Sequence, residues 1–315
     1  MKLINLYQNY LGIKILPSNR ELSTIEKYLN YGRLIEKYFD VELSEMRDSI
    51  CQIAFNKIGE ETGRGYAMRL HKVIQKTIEF ARADGMKIND FTLGLEIFAK
   101  IEKKEREKKF LHSIKDYQAL CEALKKSFNY KCSVASYFLW IDLQTALRPA
   151  ELMATKWQDI NIEKKTLRTY SRISTTKLNR TKPKNRFSVR TIPLNDETVE
   201  VFKLLKGLQD EMLEKYNLEN PENLVFFHRM YRYNLPTNAC LTNYLQQTLA
   251  QLNVTPSLCL YGCRHTRISY LLSQGIEIDV LAKYCGHSSI EMIMRTYGGL
   301  LDEKRIEGFD AIQKL

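Results

Sequence analysis

Between Lys164 and Arg190 the chain carries ten basic side chains and no acidic one: Lys164, Lys165, Arg168, Arg172, Lys177, Arg180, Lys182, Lys184, Arg186 and Arg190. A strand–turn–strand of that composition repels itself unless something anionic lies against it, so contact with nucleic acid is expected. Four short segments hold the other groups of interest. They are Thr145-Ala146-Leu147-Arg148-Pro149-Ala150-Glu151-Leu152, the hairpin's close Arg190-Thr191-Ile192-Pro193-Leu194, Tyr261-Gly262-Cys263-Arg264-His265-Thr266, and Leu281 to Ser289 (LAKYCGHSS) followed by Arg295-Thr296-Tyr297. Each alone has an ordinary structural reading. Arg148 would pair with Glu151 three positions on, and His287 would be an exposed loop histidine. Arg264 would be a solvated arginine, although it sits near a predicted helix start, where anions bind well. Tyr297 shares a helical face with Ile290, Ile293 and Met294 and would be one core tyrosine among 18. Other chemistries lack a signal: there is no GxxxxGK[ST] loop and no DxDxDG or HExxH cluster.

In their order and spacing the four segments resemble the tyrosine recombinase family, which includes the phage integrases. Arg148 stands at the Arg of the family's T-G-L-R-x-x-E-L box and Arg264 at the Arg of its H-x-x-R-H-T box. Gly286-His287 matches its L-G-H segment, and Tyr297 lies ten residues after that His, at the place of the family's nucleophile. The resemblance implies cleavage of a DNA strand by a tyrosine oxygen, with a 3′-phosphotyrosine intermediate that stores the bond energy, so that rejoining needs neither ATP nor another cofactor. Arg148 and Arg264 would clamp the non-bridging phosphate oxygens, because guanidinium is planar, always charged and able to bond them bidentately. His287 would donate to the phosphate. A hairpin lysine would protonate the leaving 5′ oxygen. Lys182, preceded by Thr181, matches the usual Thr-Lys pair, and Lys184, nine residues before Pro193, is the alternative. Tyr261 departs from the pattern, which usually has His there. A tyrosine can bond a phosphate but is no base near neutral pH. Lys and Arg can stabilise charge as metal ions do, so no metal is implied.

The elements that must position these groups read as follows. Helices are expected at Ser23–Phe39, Ser44–Ile58 and Arg64–Asp84. In the last of these Ala67, Leu70, Ile74, Ile78 and Ala81 recur at helical spacing, with Arg69, Lys72 and Lys76 on another face. The mixed-charge run Lys100–Lys109 reads as a linker. Helices follow at Asp116–Ser127 and Ser133–Gln144, then a short antiparallel sheet within 157–190. Further helices are expected at Asp196–Tyr216, Thr237–Leu252, Cys263–Ser273, Asp279–Cys285 and Ser289–Tyr297. The fold class is therefore mainly α with a small antiparallel β-sheet. By the resemblance it is a two-domain clamp on duplex DNA: a helical core-binding domain over 1–105, a linker at 106–111, and a mixed α/β catalytic domain over 112–315 with a tail from 298. Arg69, Lys72, Lys76, Arg180, Lys184 and Arg186 are the expected DNA contacts. With only about 20 residues before the first expected helix, an arm-binding domain is not expected. The tail would pack on a neighbouring protomer in a homotetramer on synapsed recombination sites, with room for accessory DNA-bending proteins.

Composition agrees. The chain has 315 residues, a net charge of +11 and 44% hydrophobic residues, enough apolar material for a folded protein rather than a disordered one. Residues 1–110 carry a net +4 and residues 111–315 a net +7, so neither half is a charged appendage. Seven cysteines, an odd number without a CxxC pair, argue against a disulfide framework or a zinc ribbon and fit a reducing compartment. The N-terminus lacks a signal peptide's apolar core, and no apolar run approaches the roughly 20 residues of a membrane span. A cytoplasmic, nucleoid-associated protein is expected. Two rivals remain open: a type IB topoisomerase or telomere resolvase using the same residues, and a DNA-binding architectural or regulatory protein without catalysis.

Overall fold

The computed structural model describes residues 1–100, 110–174, 178–255, 257–297 and 313. The chain divides into two compact units, Met1–Lys104 and Glu105–Leu315.

The first unit is helical: α1 Leu3–Tyr10, extended by a π-helical turn at Leu11–Ile15, then α2 Leu22–Tyr38, α3 Asp48–Glu61 and α4 Arg64–Ala83. Helix α1 was not expected, yet Leu3, Leu6, Tyr7 and Tyr10 recur at spacings of three and four and are all buried. They pack with Ile35, Phe55, Leu70, Ile74 and Ile78 in one core. Burying each such side chain contributes about 1.5–3 kcal/mol, so the amphipathic stripe is what holds α1 down. On α4 the expected inner face is buried, and Arg69, Lys72 and Lys76 are exposed.

The second unit opens with α5 Ile114–Lys126, capped by the Ser113 hydroxyl accepting from the Asp116 amide at 3.1 Å. Phe110 and Leu111, the last two residues of the linker expected at 106–111 from the resemblance, are buried in this unit. Next comes α6 Ala135–Thr145, whose residues are buried nearly all round, as befits a central helix. The short α7 Pro149–Met153 follows. Strands β1 Ile160–Asn161, β2 Thr166–Thr169, β3 Arg172–Ile173, β4 Arg180–Thr181 and β5 Arg190–Pro193 form two antiparallel sheets. One runs β1-β2-β5, with Leu167 opposite Ile192, and the other pairs β3 with β4. Helices α8 Asp196–Tyr216 and α9 Asn238–Gln251 add to the main core, while α10 Tyr261–Ser273 and α11 Ile278–Cys285 bury Ile268, Leu272, Leu281 and Cys285 in a smaller cluster with Phe110 and Ala146. Helical backbone returns over 291–297. The tail expectation for 298–315 falls almost wholly outside the described residues. Among the described residues no helix is long and apolar enough to cross a membrane.

Candidate active site

Two left-handed residues bring the site together. Ala146 ends α6 at φ 49°, turning the chain so that Arg148 caps α7. The left-handed region costs a non-glycine residue about 1–2 kcal/mol. That cost accounts physically for the glycine in the box that Ala146 departs from. Gly286 ends α11 at φ 66°, and a Cβ there would lie 2.5 Å from the Phe187 carbonyl oxygen. Both the dihedral and the close approach demand glycine.

Around these turns the charged groups interlock. Arg148 Nη2 donates to the Gly286 carbonyl at 3.0 Å, and its Nη1 to Glu151 Oε1 at 2.7 Å and Ser188 Oγ at 3.3 Å. Glu151, buried, also accepts from Arg190 Nη2 at 3.1 Å. Burial pushes its carboxyl up, but Arg190 and Arg148 outweigh this and hold it below the usual carboxylate range. Arg264 is the most enclosed of the cations, at 1% exposure. Its Nη1 donates to the Ala146 carbonyl at 2.6 Å, and its Nη2 to the Cys285 carbonyl at 2.7 Å and His287 Nε2 at 2.8 Å.

A guanidinium has no acceptor, so His287 Nε2 accepts and the neutral ring carries its proton on Nδ1. That Nδ1 is buried and has no partner among the described residues, leaving it as a donor for an anion. Burial, then Arg264 and Arg148, push the ring's pKa down to about 3. The folded ring therefore binds its proton more weakly than the unfolded one, whose pKa is about 6.5. Its contribution to stability is complete above about pH 6.5 and is lost as the pH falls towards 3. The wild-type melting temperature is accordingly expected to drop more steeply between pH 7.5 and 5 than that of His287→Asn. Equal slopes would contradict this account of the ring.

Tyr297 lies at 2% exposure against Phe110, ring centroids 5.2 Å apart, within a core of Ile268, Leu281, Cys285 and Ile293. Burial pushes its hydroxyl up, Cys285 adds to this and Arg264 opposes it. Its Oη lies 2.5 Å from His265 Nδ1. The Tyr261 ring meets the His265 ring edge-on at 5.1 Å, and Tyr261 itself is 40% exposed.

An open cavity of about 440 Å³ is lined by Arg148, Glu151, Arg172, Lys184, Asn238 and Tyr261, among others. A second, of about 510 Å³, holds His287, Arg186, Phe187 and Lys283 in its wall. Of the two hairpin lysines, Lys184 lines the first cavity. Lys182 is exposed, and its carbonyl accepts from Arg172 Nε at 2.9 Å. Arg186 is exposed, but Arg180 is turned into the protein, with Nε on Glu222 at 2.8 Å and Nη1 on Ser171 at 2.7 Å. Arg69, Lys72 and Lys76 belong to the other unit. Sequence reasoning missed two groups. Arg190, counted only as hairpin charge, is a half-buried partner of Glu151, and its Nε donates to the Tyr284 carbonyl at 2.7 Å. His265 is the other. Its adjacency to Arg264 gave no sign that it meets Tyr297, 32 residues on. Among the described residues no cluster of His, Cys, Asp or Glu could hold a metal ion.

The second unit is thus largely helical, with a cationic cluster tied to the turns at Ala146 and Gly286. Residues 111–303 match the model of the phage integrase family, and the chain belongs to that family, the tyrosine recombinases. It is 24% identical over 182 residues to the ICEBs1 integrase of Bacillus subtilis strain 168, a match over 56% of this chain and about half (48%) of that protein. A tyrosine recombinase XerC-like protein of Caldanaerobacter subterraneus subsp. tengcongensis is 22% identical over 96% of this chain and 80% of its own length. In fold the chain is similar to the Tn1549 transposon integrase in complex with transposon right end DNA (TM-score 0.75, 17% identity, 94% of this chain and 95% of that one). It is also similar to lambda integrase, solved as a tetramer bound to a Holliday junction (TM-score 0.66, 15% identity, 94% and 77%).

Proposed function

We propose that this protein is a site-specific DNA recombinase, an integrase that cleaves and rejoins duplex DNA through a 3′-phosphotyrosine. The observation that carries this is the bonding of Arg148, Arg264 and His287 around Gly286, with Tyr297 held on the residue after Arg264. A cluster of fixed cations, with the His287 Nδ1 donor unpartnered among the described residues, suits the charge that gathers on phosphate oxygens in the transition state. The Tyr297 oxygen attacks phosphorus, the bond to the 5′ oxygen breaks, and that oxygen leaves with a proton. Attack by a 5′ hydroxyl of another strand reverses the step and releases the tyrosine.

Lys184 is the better placed donor of the leaving group's proton, since it shares a cavity with Arg148 and Tyr261. Lys184→Ala is expected to slow cleavage about 10²- to 10⁴-fold, the usual weight of general acid catalysis. Lys182→Ala should stay within a few-fold of wild type, and single-turnover cleavage of both variants checks the assignment. His265 takes the Tyr297 proton in place of the His absent at 261. His265→Ala is expected to slow cleavage by a similar factor and to shift the pH–rate profile, whereas a purely structural histidine would leave the profile's shape alone.

In this reading the first unit is the core-binding domain, with Arg69, Lys72 and Lys76 on phosphates, and the active assembly is a tetramer on paired sites. Similarity to integrases solved on DNA supports the partner, and the lambda integrase tetramer supports the assembly. The test is exchange of strands between two labelled duplexes taken from the DNA flanking the gene, without ATP and with a metal chelator. Recombinant product is expected. Relaxation of supercoils without exchange would identify a topoisomerase, and binding without either would identify a regulatory protein.

A further inference from the structure

Five aromatic rings follow one another through the second unit. They run from His112 to Phe110, Tyr297, His265 and Tyr261, with successive centroids 4.3, 5.2, 5.8 and 5.1 Å apart. The end rings, His112 and Tyr261, are exposed, whereas Phe110 and Tyr297 are buried. Tyr297 is the middle of the run. Its Oη meets His265 Nδ1 at 2.5 Å on one side, and its ring meets Phe110 on the other. Its own segment anchors it thinly: over 291–297 only Ile293 and Tyr297 are buried, while Met292 and Met294 are exposed. Phe110 is tied down more firmly. The amide of the next residue, Leu111, donates to the Thr266 hydroxyl at 3.1 Å, and Thr266 is buried directly after His265 on α10. One short stretch of α10 thus holds both neighbours of the Tyr297 ring, His265 directly and Phe110 through Thr266.

We propose that Phe110 is a positioning residue for the nucleophile: its ring is the backstop that keeps the Tyr297 oxygen on His265 and ready to attack. The inference rests on the recombinase reading above and adds a group outside the four segments that carry the reaction. A tyrosine side chain turns about two single bonds. A hydrogen bond at its tip sets where the oxygen points but leaves the plane of the ring open. A second ring packed on its flank closes that freedom. The Phe110 and Tyr297 planes meet at 56°, a tilted arrangement of the kind aromatic pairs favour. An aliphatic side chain could fill the same space but offers no flat face. Misplacing a reacting atom by about 1 Å costs about 10²-fold in rate, so a contact that never touches DNA governs the chemical step. The Leu111–Thr266 bond completes the device by fixing the backstop to the helix that carries His265 and Arg264.

The test is single-turnover cleavage of a nicked duplex from the DNA flanking the gene, over a range of enzyme concentrations. The full chain is compared as wild type, Phe110→Leu, Phe110→Tyr, Thr266→Val and the Phe110→Leu/Thr266→Val double variant, below the thermal transition of each. Phe110→Leu is expected to cleave about 10- to 100-fold more slowly at saturating enzyme, with the half-saturating concentration within a few-fold of wild type. Phe110→Tyr keeps the ring and should recover most of the rate. Thr266→Val keeps the side chain's shape but loses the tie, so it should show a smaller loss of the same kind. The double variant should be no slower than Phe110→Leu, because both changes act on one ring. A wild-type saturated rate in Phe110→Leu would overturn the proposal, as would a change confined to half-saturation or a Phe110→Tyr variant as slow as Phe110→Leu. If Phe110→Leu fails to fold, a wild-type rate in Thr266→Val overturns it. Wild type that forms no adduct would overturn the recombinase reading, and the proposal with it.

Discussion

Tyr297→Phe is expected to abolish strand cleavage, by at least about 10⁴-fold, while DNA binding stays within a few-fold of wild type. The substitution removes one oxygen from a side chain that is otherwise packed on Phe110 and the α10–α11 core. The ring volume is kept, so no cavity opens. The structural loss is the hydrogen bond to His265, about 1 kcal/mol. A loss of cleavage far beyond that cost identifies the oxygen as a reactant. Single-turnover cleavage of a labelled duplex, with binding measured on the same DNA, checks both halves of the expectation. Tyr284, the other tyrosine near the Gly286-His287 turn, is packed beside Arg190, and its replacement by Phe should leave cleavage nearly unchanged.

Arg264→Ala is expected to remove cleavage as well, by about 10³-fold or more, and to destabilise the second unit by about 3 kcal/mol. The two effects have one origin. The buried guanidinium satisfies the carbonyls of Ala146 and Cys285 and the Nε2 of His287 together. Without it, three buried acceptors lose their donor, and the two turns carrying Arg148 and His287 lose their tie. Arg264→Lys keeps a charge but loses the planar fork, so it should recover part of the stability and little of the rate. Chemical denaturation and single-turnover cleavage of the two variants separate these terms. Equal rates in wild type and Arg264→Lys would mean that charge alone, not bidentate geometry, serves the reaction.

Arg148, Arg264, His287 and Tyr297 could be picked out in the sequence because the order and spacing of their short segments resemble the boxes of the tyrosine recombinases; each segment alone reads as ordinary structure. The helices were legible where apolar residues recur with a helical period, as on α4 and α8. Helix α1 carried the same signal in Leu3, Leu6, Tyr7 and Tyr10 and went unread. What pattern cannot supply is the pairing of residues far apart in the chain. Arg180 and Arg190 look like equal members of a basic hairpin. One is spent on Glu222 and Ser171 and the other on Glu151, and only the fold tells them from exposed Lys184. The choice between Lys182 and Lys184 turns on the hairpin's path, which residue counting does not determine. Likewise His265 acquires its interest from a contact across the turn between α10 and the helical residues at 291–297, not from its place beside Arg264.

The measurement that bears most directly on the account is capture of the covalent intermediate on a nicked duplex from the DNA flanking the gene, followed by digestion and mass analysis of the peptide that holds the nucleotide. The account predicts a single adduct, resistant to denaturation, on the peptide containing Tyr297, and none with Tyr297→Phe. An adduct on any other residue, or one that persists in Tyr297→Phe, would contradict it.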